Sequence, residues 1–256
     1  MDSRKLGGIL MAGLAAALVV VAVALPRFPQ PADYHNFADH RGWLGIPNFG
    51  DVVSNLGFAV VGVLGLHALL RKPGRIRFLD PNEKWPYLII FLGLLLTAAG
   101  SSYYHLAPDN ARLVWDRLPM TIVFMSLVAA LIAERFSVFA GLTLLPFLLA
   151  IGLASVWQWR WSEAHGRGDL RFYAGVQLYA ILAVILGLFL KSRYTRSSDL
   201  AVLAVFYVLA KAAETFDNQI FALGNLVSGH TFKHILAALG SYWILRMLEE
   251  RKPIIE

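Results

Sequence analysis

Cysteine is absent from the chain, and charge is scarce. Asp, Glu, Lys and Arg together make up 16% of the 256 residues, against about 25% in a typical soluble domain. The first absence excludes disulfides and thiolate metal ligands, so any metal must rest on His, Asp and Glu. The second argues against a water-soluble domain. Hydrophobic residues reach 57% and mean hydropathy is +0.58, more apolar surface than one aqueous core of this size can hide. With lipid as the solvent the difficulty disappears, because each crossing needs only ~20 apolar residues. Internal repeats, low-complexity tracts and long polar loops are also lacking. The expectation is therefore a single membrane domain, 1–256. The net charge of +6 does not point to nucleic acid, because the basic residues sit at helix ends, where topology and anionic lipid account for them.

Eight apolar stretches follow, at roughly 7–25, 51–70, 86–105, 113–133, 138–157, 171–190, 200–216 and 230–247. They predict an all-α polytopic transmembrane bundle. The first follows Arg4 and Lys5. Its apolar run exceeds the ~7–15 residues of a signal peptide and leads into Pro26 without a clean cleavage site, so it is expected to stay as a helix. With the N-terminus inside, fourteen Lys and Arg fall on inner segments, among them Arg71, Lys72, Arg75, Arg77 and Lys84, and six on outer ones. This bias places both termini in the cytoplasm.

Polar residues within spans are costly and so mark candidate functional positions. That topology puts many of them at one depth near the outer face: Ser54 and Asn55, Ser101 and His105, Asp116, Asp217 and Asn218, and His230 and His234. His230 and His234 are four apart, on one helical face, a spacing that suits metal chelation. Ser101 and His105 share the same spacing. A turn through Pro108, Asp109 and Asn110 then brings Asp116 back to the depth of His105. Three His ligands leave one position for water, the pattern of a catalytic zinc site, and Asp116 is placed to move the protons of that water. The plainer readings are that Ser101 eases helix packing, that Asp116 pairs with Arg112 or Arg117, and that the two His bond to neighbours. Lys211 and Glu214 read as an intramembrane ion pair and His67 as structural. His35, His40 and His165 fall in loops with no evident partner.

The segment GSSYYHLAPDNARLVWDRLPM, 100–120, resembles the signature of the alkaline ceramidases, with Ser101, His105, Asp116, Leu118 and Pro119 at the signature positions. HTFKHILAALGSYWIL, 230–245, resembles that family's last helix. Ser54, Asn55 and Leu56 match its SNL, and Asp217 and Asn218 its Asp-Asn. The resemblance covers about 33–248. It implies a seven-helix core, 31–256, of the superfamily shared with adiponectin-type receptors, preceded here by one extra N-terminal helix, 1–30. It further implies zinc on His105, His230 and His234, Asp116 as acid and base, Ser101 orienting the water or the oxyanion, and Tyr173 steadying the oxyanion. The implied substrate is a membrane lipid, ceramide or another N-acyl lipid, cleaved at its amide. Eukaryotic members also bind calcium before the first core helix. The matching stretch here offers Asp33, with Asn36 and Asn48 where glutamates are expected and Asp39 or Asp51 to spare, so a calcium site is at most weak. The alternative is a receptor-like or scaffold protein with a structural zinc, against which the pairing of Ser101 and Asp116 with the His set argues. A transporter lacks repeated halves and broken helices.

Overall fold

A computed structural model of the chain describes residues 3–71 and 75–254. Lys72 and the side chain of Arg4, both part of the charge bias above, lie outside the described residues. Among the described residues there is no strand, and the helices are α1 (Ser3–Ala24), α2 (Phe49–Ser54), α3 (Leu56–Arg71), α4 (Lys84–Leu106), α5 (Asn110–Arg135), α6 (Val138–Ala164), α7 (Arg171–Phe189), α8 (Asp199–Thr215), α9 (Asp217–Ala222) and α10 (Gly229–Glu250).

Among the described residues six segments are long and apolar enough to cross a membrane: α1, α2 with α3, α4, α5, α6 and α7. The eight expected stretches are all helical, but α8 and α10 do not meet that standard. Helix α8 has only 17 residues, and α10 carries Lys233, Arg246, Glu249 and Glu250. Both pack into the bundle, α10 against α8 and α3. Lys233 is sheltered there against Glu214, while Arg246, Glu249 and Glu250 lie in the last turns of α10, where Arg246 pairs with Glu250 and Glu249 with Arg75. One expected stretch, 51–70, is interrupted at Asn55 into α2 and α3, and α6 runs past residue 157 to Ala164.

Helix α5 is the centre. Within its span window 78% of residues are buried, and it packs on α4, α6 and α7. Helix α1 is the opposite case, with 11% of its window buried and Val19, Val20 and Val23 exposed, a surface that suits lipid. It lies along α7 and α5. Gly7 allows this approach, since a Cβ there would meet Phe136 and Leu190. Helix starts are fixed locally: the Asp109 carboxylate accepts from the Arg112 N–H at 2.7 Å, and Ser228 Oγ accepts from the Thr231 N–H at 3.0 Å. These are N-caps of the usual chemistry.

The polar side chains of the interior gather at the two ends of the bundle. At the end where α5 finishes, Tyr87 donates to Glu134 at 2.5 Å, and Glu134 is paired with Arg251, which is itself buried. Alongside, Glu83 accepts from Tyr194 at 2.5 Å and from Arg193 at 2.7 Å. Two buried carboxylates thus tie the starts of α4 and α8 to the chain after α10.

A buried pair contributes little net, but halving it strands a charge. Glu134→Ala is expected to lower stability by about 3–5 kcal/mol, read as a lower unfolding temperature in detergent. An unchanged temperature would show that Arg251 finds water or another partner.

Candidate metal centre

The other end of the bundle collects His105 from the last turn of α4, and His230 and His234 from the first turns of α10. All three are buried, at 1%, 4% and 3% exposure. One ligand atom from each lies within 4.8 Å of those of the other two. The rings form a nearly equilateral triangle, with centroids 4.8, 5.0 and 4.9 Å apart. This buried group suits a single metal ion.

The local sequence explains why they meet. Gly100 lets α4 and α5 touch, because a Cβ there would fall 2.0 Å from the Trp115 carbonyl oxygen. The contact sets Ser101 against Asp116 and points the next turn of α4 at α10. Gly229 does the same for α10, where a Cβ would strike the Ala213 carbonyl and Asp217. Asp217 then takes the His230 N–H at 2.8 Å on one oxygen and the Ala38 N–H at 2.9 Å on the other. Asn218, its neighbour, is exposed.

The donor set fits a metal by the state of its nitrogens. Both ring nitrogens of His105 are buried without a hydrogen-bond partner, a costly condition for an imidazole unless something else is coordinated. His234 Nδ1 lies 2.8 Å from Ser54 Oγ, which fixes the ring and frees Nε2, the arrangement that orients metal-bound imidazoles. His230 Nε2 lies 3.2 Å from the Lys233 ammonium, which is itself neutralised by Glu214 at 2.8 Å. Asn48 Nδ2 donates to the His105 carbonyl at 2.8 Å. Phe37 lies against His105 and His230, with centroids at 4.7 and 4.4 Å, and shuts that side of the triangle to water.

Ser101 and Asp116, both buried, face one another. Neither Arg112 nor Arg117 pairs with Asp116: Arg112 stacks on Tyr103, and Arg117 donates to Gln30 at 2.5 Å. Ser101, Asp116 and His234 line a cavity of about 400 Å³, bounded further by Arg117, Tyr173 and many apolar side chains of α4, α5, α7, α8 and α10. Tyr173 is buried, with its ring 4.6 Å from the Arg117 guanidinium. The Lys211–Glu214 ion pair is present, and Lys233 joins it.

The three loop histidines expected to lack partners all have them. His35 meets Tyr104 Oη at 2.8 Å and Asn110 Oδ1 at 3.0 Å. His40 meets Asn48 Oδ1 at 3.3 Å and Asn36 Oδ1 at 3.2 Å. His165 closes α6 on the Trp161 carbonyl at 2.8 Å, while His67 is exposed on α3. The His40 contact bears on calcium. Asn36 and Asn48 turn their amide oxygens to an imidazole, and Asp39 is engaged by Arg41 at 2.7 Å, whose guanidinium holds that carboxyl below the usual carboxylate range. Asp51 accepts from Thr231 at 2.7 Å and Ser228 at 3.2 Å on one oxygen. The other Asp51 oxygen is buried without a partner and Asp33 is exposed, but among the described residues these carboxylates do not converge into a metal-holding group, and calcium wants six to eight oxygens including carboxylates.

Several contributors carry no motif of their own. Phe37, Asn48, Arg117 and Gln30 reach the site through tertiary packing. The one signal in the sequence was for Arg117, an arginine one residue from Asp116 inside a span.

No protein-family model matches the chain, and no curated protein matches it.

The purified full-length protein is expected to hold one divalent metal per chain, measured by mass spectrometry. His230→Ala should remove it, and Ser54→Ala should weaken retention by roughly 10- to 100-fold. A well-folded wild type that takes up no metal would dismiss the site.

Proposed function

We propose that this is an intramembrane zinc-dependent amidohydrolase of the alkaline ceramidase type, which cleaves the amide of ceramide or another N-acyl lipid to a fatty acid and an amine. In this reading the fold is a seven-helix core preceded by α1, with both termini in the cytoplasm and the site toward the outer face. The observation that carries it is the shared cavity: Ser101, Asp116 and His234 stand at one end of a largely apolar space. The remaining walls descend along α5, α7 and α10. Leu127 is eleven residues beyond Asp116 and Ile244 ten beyond His234, a depth of ~15 Å at helical rise. That shape suits an acyl chain laid between helices with its amide at the polar end.

Zinc held by His105, His230 and His234 would supply Lewis acidity toward a carbonyl oxygen and toward water. The residues do the rest. The Asp116 carboxylate accepts a proton from the attacking water as its oxygen bonds the amide carbon. The same carboxyl returns the proton to the nitrogen as the carbon–nitrogen bond breaks, so the amine leaves neutral. The Ser101 hydroxyl, facing Asp116, orients that carboxyl or donates to the developing oxyanion. Phe37 on one side and Tyr104, buried beside His105, keep bulk water from the chemistry.

Replacing Asp116 with Asn should reduce release of fatty acid from N-acyl lipids by at least ~100-fold with the metal retained. Full turnover in this variant would remove Asp116 from its role. A metal-loaded wild type inert on every N-acyl lipid would return the protein to the scaffold reading.

A further inference from the structure

Arg117 is the unexplained charge of the cavity. It is a guanidinium that is only 4% exposed. Among the described residues no carboxylate pairs with it. Its hydrogen bond goes to the neutral amide oxygen of Gln30, and its Nη1 is buried with no partner. A buried, charged donor left unmade is expensive.

The surroundings hold the guanidinium without satisfying it. Trp159, Tyr173 and Tyr34 place their rings 4.2, 4.6 and 5.4 Å from its carbon. Ring faces stabilise the charge but offer no acceptor to the N–H groups at its edge. The cage is fixed in turn by Glu163, which accepts from Trp159 Nε1 at 3.2 Å and from the Gln30 N–H at 2.7 Å. Such a preorganised, unpaired fork matches a carboxylate or a phosphate.

Its place sets which part of a ligand would arrive there. Arg117 lines the cavity beside Asp116, together with Gln30, Pro31 and Tyr34 from the linker after α1. The apolar walls lie at the other end. Of the cavity's carboxylates, Glu214 is held by Lys211 and Lys233, and Asp116 faces Ser101 and feels the Arg117 charge without forming an ion pair with it. An acyl chain directed into the apolar end, with its amide at Asp116, puts the amine fragment next to Arg117.

We propose that the substrate is an N-acyl lipid whose amine portion carries an acidic group, a carboxylate or a phosphate, and that Arg117 receives that group. This rests on the hydrolase reading for the direction of the lipid, but the binding itself does not depend on turnover.

The test uses the zinc-loaded, full-length Asp116→Asn protein in detergent, so that binding is read without cleavage. Three probes share one hexadecanoyl chain: the amide of glycine, the amide of ethanolamine phosphate, and the neutral amide of ethanolamine. At least one acidic probe is expected to bind ~10- to 100-fold tighter than the neutral one, and the tighter of the two identifies the acid. Adding Arg117→Met should abolish the preference while neutral binding and metal content persist. Should that variant not fold, Gln30→Glu, which supplies Arg117 with a carboxylate of its own, should abolish it equally. Equal binding of all three probes, or a preference that survives both substitutions, overturns the proposal. Arg117-dependent binding in a protein whose Asp116 form cleaves none of the probes would uphold it while ending the hydrolase reading. Cleavage of neutral and acidic probes alike, with equal binding, would do the reverse.

Discussion

His105 is buried at the end of α4 with both ring nitrogens unpartnered, and the rest of the site is organised around that condition. An imidazole so placed is unfavourable until its nitrogen meets a metal, while the surrounding contacts are already made. Ser54 holds His234, Asp217 holds the first turn of α10, and Asn48 holds the His105 backbone. The supports are therefore built from neighbours of the ligands and leave the ligand atoms themselves turned inward. Such preorganisation lowers the cost of ordering at the moment of binding. It also means that the glycines at 100 and 229 matter as much as the histidines. Each removes a side chain where two backbones come within contact, and any larger residue would part α4 from α5, or α10 from α8.

The two ends of the bundle divide the labour. Interior charges are confined to them, because a charge at mid-depth has no water to turn to; between them the buried polar groups are hydroxyls such as Thr121, Ser126 and Ser155. At one end the carboxylates Glu83 and Glu134 are matched by Arg193 and Arg251 and by two tyrosines, although Arg251 and the neighbouring Arg135 also keep buried nitrogens without a partner. At the other end His105 and Arg117 keep unpartnered nitrogens. What sets this end apart is space: a cavity of about 400 Å³ opens beside its groups, whereas the one at the carboxylate end is about 10 Å³.

The helices were legible because eight apolar runs punctuate the sequence, six of them apolar enough to cross a membrane, and the three histidines because their spacing and depth coincide. Ser101 and Asp116 followed from the same register. What escaped the sequence depends on the third dimension. The break at Asn55 and the short helix α9 arise where Asn55 bonds back to the Asp51 carbonyl at 2.8 Å and where Asp217 turns to cap α10. No periodicity records either. Phe37 and Gln30 lie on a linker with no regular pattern, yet they line the site because Arg41 ties that linker to the carbonyls of Asn225 and Leu226 at 2.5 and 2.8 Å. Arg117 entered only through the plainer reading of Asp116, as one of two arginines that could pair with it. On a helix, adjacent residues point about 100° apart, and only those three or four apart face one another.

The same linker is held through amides at two positions where carboxylates were expected. Asn36 and Asn48 stand where the family resemblance led us to expect glutamates, and each turns its amide oxygen to the ring of His40, at 3.2 and 3.3 Å. Two carboxylates facing one another there would need a cation between them to relieve their repulsion. Two carboxamides carry no charge, and one imidazole is sufficient to bridge them. Asn48 then passes the connection to the His105 carbonyl. The linker is thus joined to the last turn of α4 through side-chain hydrogen bonds.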